Sequence, residues 1–451
     1  MTETTTAEVP RPAPPDAPGD RFEAFLAALE EPGALREARR AAWRRYAALP
    51  MPDRKTEEWR YTDVSGLRPA SFRSAAAAGV EAPPSELPGE VREALARSGE
   101  RAALTVVRNG RAVEQQLDPA LAAQGVVFAP IVSVARERPE LLWKHLFRSP
   151  VAAMEEKLWK LHTAMLSDGY LLYVPREVRV ERPVHAFRYL DREGVLVSSH
   201  TLIVAEAGAE VTCIDEHLSP DLPAPSLSLA GVEIVGGENA GVRYVCLQRY
   251  GRGVEHFSIQ HVAAGRDARL LGFNVALGAD LARADVTSRL RGPGSESQML
   301  ALWFGDREQH VDFHTLQHHE APHATSDLLY KGALTDAARG VFRGLIRVEP
   351  GAQFTDAYQT NRNMLLSETA KATSLPNLEI EADDVRCSHG ATIGQVDEAQ
   401  LFYLMTRGLT RKQAERLLVF GFFDEVLNRL PVTGVRARVR EAIEEKIQLH
   451  G

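Results

Sequence analysis

The sequence is poor in cysteine: Cys213, Cys246 and Cys387 are the only three among 451 residues, and they lie far apart. An odd number of widely spaced cysteines does not fit the disulfide framework of a small secreted fold. No apolar run approaches the roughly 18 residues that a membrane-spanning helix needs. The N-terminus also lacks the basic and then apolar segments of a signal peptide. We therefore expect a cytoplasmic protein without a membrane segment.

The chain also lacks an excess of positive charge. It carries 53 basic and 61 acidic side chains, and its formal net charge is −8 at pH 7. A protein that coats nucleic acid or anionic lipid needs the opposite balance, so neither is an expected partner. With 44% hydrophobic and 25% charged residues, the composition is that of a soluble chain with enough apolar material for a large core.

Common catalytic signatures are missing as well. The sequence contains no Walker A motif, no G-x-G-x-x-G opening a helix, no G-x-S-x-G and no C-x-x-C pair. Asp383 and Asp384 could form the acidic pair of a polysaccharide-cleaving β-helix enzyme, but adjacent aspartates are typical of turns. Because these motifs are missing, the sequence gives no support for nucleotide hydrolysis or for a serine nucleophile in this chain.

Changes in composition and periodicity divide the chain into four regions. The first is rich in Thr, Ala and Pro, and its prolines block helix formation; the second has apolar residues at helical spacing. The third consists of short runs of Val, Ile, Leu and aromatic residues, and the fourth returns to the helical period. We expect a disordered leader (1–20), a mainly helical region (21–165), a β-helix core (166–394) and a C-terminal helical domain (395–451).

Short turn-and-strand units recur within the third region. They begin near Asn239, Asp267, Ser295, His323 and Gly351, at intervals of 28 residues. A fixed period of this length is typical of stacked repeats, in which one unit cannot bury its apolar face alone. The sequence therefore predicts a mainly β protein with a β-solenoid or β-helix core.

The C-terminal region holds two helix starts and an unusually apolar helix. Asp397 and Thr410 each precede a Gln by three residues, as N-terminal capping boxes do. The second helix has more apolar residues than one narrow stripe can hold, so its own domain or a partner must cover them. These apolar residues include Phe420, Phe422, Phe423 and Leu427.

Histidines crowd one predicted strand. Read as a strand, His310, His314 and His318 share a face with Asp312. Imidazole and carboxylate are suitable ligands for iron or zinc, so one hypothesis is a self-contained metal-dependent enzyme. The alternative is a polar outer face of a solenoid strand, because this spacing does not define a coordination geometry.

Cys387 and His389 form the sharper candidate site. In an extended chain their side chains project to the same side, roughly 6.6 Å apart along the strand. A thiolate and an imidazole could contribute to one soft-metal or sulfur site, but two ligands do not complete a tetrahedral set. The missing ligands could come from another protein. The alternative is a buried cysteine beside a hydrogen-bonded histidine.

Several longer segments resemble one known family. They are "LPNLEIEADDVRCSHGATIGQVDEAQLFYLMTRGLTRKQAERLLVFGF" from Leu375, "RGVFRGLIRV" from Arg339, "DAYQTNRNMLLS" from Asp356 and "RKTEEWRYTDVSGL" from Arg54. Together they are similar to the SufB/SufD family of iron-sulfur cluster assembly proteins, from about Arg54 to Leu430. The SufD branch is the better match, because SufB members carry a cysteine in the segment that reads "QTNRNMLLS" here.

The resemblance implies a fold and a set of partners. It implies a right-handed parallel β-helix between helical terminal regions, and a non-enzymatic subunit that supports assembly and transfer of nascent clusters. A SufB-like scaffold would pair through the β-helix, and a SufC-like ABC ATPase would bind the C-terminal helices. We expect Phe420, Phe422, Phe423 and Leu427 at the ATPase contact.

The resemblance also implies what the candidate site does. His389 and Cys387 would lie at the interface with the SufB-like partner and would share a transient iron or iron-sulfur cluster with it. No tightly bound cofactor is expected. The isolated chain could form a homodimer in place of the heterodimer.

Overall fold

A computed structural model describes residues 18–75, 86–150, 153–430 and 433–448. The expected disordered leader lies outside the described residues over positions 1–17. Pro18 to Asp20, which were assigned to that leader, already belong to the first helix. From the N- to the C-terminus the described chain forms a region of helices and short strands, a long β-solenoid and a group of C-terminal helices.

The described N-terminal region contains strands as well as helices. The first two helices are separated by residues 28–32. Two short 3₁₀ segments cover Glu57–Trp59 and Pro69–Ser71. The helices are α1 (Pro18–Ala27), α2 (Gly33–Ala48), α3 (Gly89–Arg97), α4 (Pro119–Ala123), α5 (Ile131–Glu137), α6 (Pro139–Trp143) and α7 (Ala153–Ala164). The strands are β1 (Arg73–Ser74), β2 (Ala103–Arg108), β3 (Arg111–Leu117) and β4 (Val127–Pro130).

The chain then winds into two parallel sheets. Odd-numbered strands from β5 to β19 form sheet A, and even-numbered strands from β6 to β20 form sheet B, so each coil gives one strand to each sheet. β1, β4 and the β2–β3 hairpin extend these sheets near the start of the solenoid. The strands are β5 (Asp168–Val174), β6 (Val184–Tyr189), β7 (Val195–Ala205), β8 (Glu210–Leu218), β9 (Ser226–Gly236), β10 (Gly241–Arg249), β11 (Val254–Ala264), β12 (Arg269–Ala276), β13 (Leu281–Leu290), β14 (Glu296–Gly305), β15 (His310–His319), β16 (Thr325–Leu334), β17 (Arg339–Val348), β18 (Asp356–Leu365), β19 (Lys371–Ile380) and β20 (Arg386–Gln395).

The predicted repeat and the predicted fold are confirmed. Arg269 pairs with Gly241 on one side and with Glu296 on the other, so equivalent positions of successive coils stack in register. The repeat starts Asn239 and Asp267 have φ of 57° and 53°, a left-handed conformation that Asn and Asp tolerate at turns. Each 28-residue unit holds two strands rather than one, because the chain must cross to the opposite sheet before it returns.

Three helices follow the solenoid, over Glu398–Thr406 (α8), Arg411–Leu427 (α9) and Thr433–Gln448 (α10). Thr410 and Gln413 make the predicted capping box, whereas Asp397 caps α8 by accepting from the main-chain N–H groups of Ala399 and Gln400. α9 and α10 pack their apolar side chains against the outer face of sheet B. These helices therefore cover only one side of the solenoid. The edge strands of its last coil remain unpaired on their outer side.

Candidate functional site

The last coil of the solenoid is open. Among the described strands, β19 pairs with β17 alone and β20 with β18 alone, so both are edge strands. Ile380 and Ile393, near the ends of these strands, are 39% and 44% exposed. An uncovered parallel edge presents a row of main-chain donors and acceptors that can pair with another strand. We call the opening between β19 and β20 the mouth.

The hydrogen-bond pattern shows which residues face the free edge. Arg386 N–H donates to the Thr355 carbonyl and Val396 N–H to the Leu365 carbonyl, both toward β18. Main-chain N–H groups alternate sides along a strand. The N–H groups of the odd-numbered residues between Arg386 and Val396 therefore point away from β18, to the free edge. On β20 these residues are Cys387, His389, Ala391, Ile393 and Gln395. All five have an N–H, so this edge is an uninterrupted template.

The edge of β19 is different. Lys371 N–H donates to the Ala338 carbonyl and Glu381 N–H to the Val348 carbonyl, both toward β17. The main-chain N–H positions of the even-numbered residues of β19 therefore point to the free edge. Pro376 occupies the middle of that row and has no N–H to offer. The free edge of sheet A is therefore interrupted, whereas that of sheet B is not.

Cys387 and His389 lie on the inner face of β20, at the mouth. In register, Cys387 stands beside Ala357 and His389 beside Gln359. Gln359 is fully buried and reaches across the lumen, which identifies this face as the inner one. The two side chains therefore share one side of the strand, as the alternation predicts. His389 is exposed to solvent because no further coil covers it.

The Cys387 thiol is half-buried at this position. It packs against a small cluster of buried apolar residues that includes Ile346, Val348 and Ala357. Burial raises the pKa of the Cys387 thiol, and the nearby Asp356 carboxylate raises it further. The thiol is therefore protonated at neutral pH, and a cation or base must be added before it becomes a thiolate ligand.

The histidine strand β15 serves a different purpose. His310 Nε2 and the Thr62 hydroxyl are 2.9 Å apart, and the same hydroxyl donates to Asp312. His314 Nε2 lies 3.1 Å from Asp312 Oδ1, and Arg283 lies 3.0 Å from Oδ2. Although burial opposes ionisation, His314 and Arg283 lower the pKa of the Asp312 carboxyl. These side chains fasten the N-terminal region to sheet A.

The enzyme hypothesis is not supported by this arrangement. His318, further along β15, pairs with Glu349 at 2.7 Å and is directed away from the Asp312 group by its own partner. Within the described ranges, no group of three or more His, Cys, Asp or Glu side chains is placed to hold a metal ion. The contacts favour the alternative interpretation, in which these histidines belong to a polar outer face of the strand.

The four apolar residues expected at the ATPase contact lie mainly inside the chain. Phe420 is 7% exposed, and Phe423 and Leu427 are fully buried against sheet B. Phe422 is partly buried, and the Lys331 ammonium lies 4.7 Å from its ring centroid. These side chains are used to fix α9 to the solenoid, so they have little surface left for a partner.

Other side chains of the C-terminal helices are exposed and apolar, and those of α8 were not among the predicted contact residues. The row "LFYLM" in α8 carries apolar residues on several faces, which was the available signal. We call this group the α8–α9 patch. It consists of Phe402, Tyr403, Met405 and Leu417, which are 69%, 56%, 41% and 52% exposed.

The patch is connected directly to the mouth. β20 ends at Gln395 and α8 begins at Glu398, so two residues separate the strand of His389 from the helix of Phe402. α8 is held to α9 by the Glu398–Arg411 ion pair at 2.6 Å. A displacement of α8 would therefore reach β20 through a very short connection.

The described helices do not include one that is both long enough and apolar enough to cross a bilayer. The molecule is an open-ended β-solenoid scaffold, in which the candidate groups stand at an edge rather than in an enclosed pocket. Two family models match this chain: the SufBD core domain of the SUF system for FeS cluster assembly at 187–422, and the SufBD N-terminal region at 22–186. The chain belongs to the SufBD family of iron-sulfur cluster assembly proteins.

Individual relatives agree with this assignment. The iron-sulfur cluster assembly protein SufD of Bacillus subtilis is 31% identical over 95% of this chain and 97% of its own length. A SufBD family protein of Synechocystis is 28% identical over 88% of this chain and 87% of its own. A SufBD family protein of Mycobacterium leprae is 34% identical over 61% and 71%. The family resemblance is confirmed, and the role of the chain is in iron-sulfur cluster assembly.

Proposed function

We propose that this chain is the SufD-like subunit of a cytoplasmic SufB–SufC–SufD type complex. It pairs with a SufB-like sister chain through the mouth and supports assembly and transfer of the nascent cluster without being an enzyme itself. ATP hydrolysis belongs to the SufC-like partner. The observation that supports this best is the position of His389, exposed at the open coil beside an unprotected strand edge.

The edge itself favours pairing with another strand. Monomeric proteins usually protect edge strands with proline, a bulge or an inward-pointing charge. β20 has a continuous register with β18 and no proline, so it lacks the first two protections. An edge strand of a sister solenoid is the partner that satisfies its five outward N–H groups. When the sister is missing, the same edge allows a homodimer.

The set of possible metal ligands at the mouth is incomplete, which suits an iron or iron-sulfur cluster that is shared with a second chain. Cys387 and His389 provide one sulfur and one nitrogen, and cluster irons need further ligands of this kind. Donors from the sister chain would complete the set. Because each half binds weakly alone, the cluster or iron is held transiently and can be released to a client protein.

The α8–α9 patch is the proposed docking surface for the ATPase. Its exposed aromatic and apolar side chains replace the buried Phe420, Phe423 and Leu427 as the contact residues. Since α8 joins β20 after two residues, a movement of the ATPase would be transmitted to the strand that carries His389. Nucleotide-driven opening of the mouth follows from this connection.

Co-expression with the SufB-like and SufC-like chains of the same host tests the proposal. We expect purification of one tagged member to yield all three chains. Ala391→Pro removes an outward N–H and should abolish recovery of the SufB-like chain while retaining the ATPase. Ser74→Ala, at the opposite end of the solenoid, is the control and should leave recovery unchanged. Failure of the wild-type chains to co-purify would refute the proposed complex.

A further inference from the structure

An amide bridge lies directly beneath the mouth. Gln359 on β18 stands beside His389 in the register of sheet B, on the inner face. Its side chain is fully buried, and its Nε2–H donates to the main-chain carbonyl of Asn377 on β19 at 3.1 Å. The bridge therefore crosses the lumen and joins sheet B to the edge strand of sheet A.

Gly344 on β17 makes space for this bridge. A Cβ at position 344 would stand 2.2 Å from Gln359 Oε1, far closer than packed atoms tolerate. Gly344 is the register partner of Pro376, the residue before Asn377. Three neighbouring strands thus contribute to one contact: a glycine on β17, the amide on β18 and a carbonyl on β19.

The Gln359 amide is only half satisfied, as is that of Asn363 on the same strand. Gln359 Oε1 is buried and has no hydrogen-bond partner within the described residues. An unpaired buried acceptor is destabilising relative to an apolar side chain of the same shape. A second buried amide on the same face, Asn363, makes no such crossing: its Nδ2 donates to Asn361 Oδ1 within β18 at 2.7 Å. The two amides differ in what they connect.

We propose that Gln359 is a positioning residue, which holds the two edge strands at a fixed separation and so orients His389 and Cys387 at the mouth. β20 is tied to β18 along its whole length, and the bridge ties β18 to β19. The amide does not need to touch iron or sulfide. Its consequence for cluster assembly rests on the proposed function, whereas the positioning is a property of the isolated chain.

The positioning is tested on the isolated chain with a thiol reagent. Cys213 and Cys246 are buried, so Cys387 is the thiol that dithionitrobenzoate reaches first. Gln359→Met keeps the length of the side chain but cannot donate, and we expect it to accelerate Cys387 labelling several-fold. Asn363→Leu is the matched control and should label at the wild-type rate. Equal rates for Gln359→Met and wild type, or equal acceleration by both variants, would overturn the proposal.

The consequence for assembly is tested in the reconstituted complex. Gln359→Met should lower cluster yield several-fold while leaving the complex intact. Gly344→Ala should lower both thermal stability and yield, because its methyl group displaces the amide. Adding Gln359→Ala to Gly344→Ala removes the overlap with the amide but leaves that with the Phe342 ring, 2.7 Å from the new Cβ, and it does not restore the bridge, so stability should recover in part and yield should not. Recovery of both would show a packing role only.

The outcomes separate this inference from the proposed function. If His389→Ala does not change cluster yield, the proposed role of the mouth fails. The labelling rates of Cys387 still decide whether Gln359 positions the edge strands, because they need neither partner nor cluster.

Discussion

The Thr62 hydroxyl donates a hydrogen bond of 2.5 Å to Asp312, a residue 250 positions further along the chain. It joins the N-terminal region to the outer face of sheet A. Trp59 reinforces the contact, since the Arg283 guanidinium carbon lies 3.7 Å from its ring centroid. The segment "RKTEEWRYT" from Arg54 is therefore a docking element of the fold.

Thr62→Val should destabilise the protein by about 1–3 kcal/mol, because it leaves the buried Asp312 carboxylate without one of its donors. Chemical denaturation of the two proteins measures the difference. Thr56→Val, in the same segment, is the control: Thr56 is exposed, so its stability should stay within about 0.5 kcal/mol of wild type. A small effect at both positions would contradict the docking role of Thr62.

Stability should fall as the pH drops from about 6.5 toward 4. Burial, together with the nearby His318, lowers the pKa of His319 to about 4, and burial likewise lowers the pKa of His261 to about 4. The unfolded chain takes up these protons near pH 6.5, whereas the folded chain resists until about pH 4, so acid favours unfolding. Urea denaturation at pH 7.5, 6 and 5 measures the slope.

A variant identifies the histidine responsible for part of that slope. His319→Asn removes one group with a lowered pKa and should flatten the dependence between pH 6.5 and 4. Thr56→Val, which removes no titratable group, should leave the slope as it is in the wild type. Parallel slopes for wild type and His319→Asn would contradict the assignment.

His389→Ala should leave the complex and the folded chain intact but lower cluster yield several-fold, because it removes a ligand from an exposed position. Iron and sulfide content, together with the visible absorption of the cluster, provide the measurement. His323→Asn is a suitable control, since it also removes an exposed imidazole from the solenoid and Asn tolerates the left-handed φ of 59° at this position. An unchanged yield would refute the role of His389.

Phe402→Ser should impair ATPase binding, whereas Phe423→Ser should impair the stability of the fold. Phe402 is 69% exposed in the α8–α9 patch, so its loss should abolish co-purification of the ATPase with little change in melting temperature. Phe423 is fully buried, and its loss should destabilise the protein by roughly 3–5 kcal/mol. Retained ATPase binding in Phe402→Ser would exclude the patch as the docking surface.

Local patterns in the sequence predicted much of the fold. The 28-residue spacing from Asn239 to Gly351 predicted the solenoid, because each coil repeats the same turn chemistry. The caps at Asp397 and Thr410 were predictable for a similar reason: they depend on residues three positions apart. Strand alternation placed Cys387 and His389 on one face, since side-chain direction in a strand is a property of the backbone alone.

Tertiary structure decided which of those faces are covered and by what. Phe402 in α8 and Phe423 in α9 both stand among apolar residues in the sequence, yet only Phe423 meets sheet B. His310 and Asp312 resembled metal ligands until Thr62, 250 positions before Asp312, was found to bind both. Periodicity determines the direction of each side chain locally, whereas burial depends on contacts between residues that are distant in the chain.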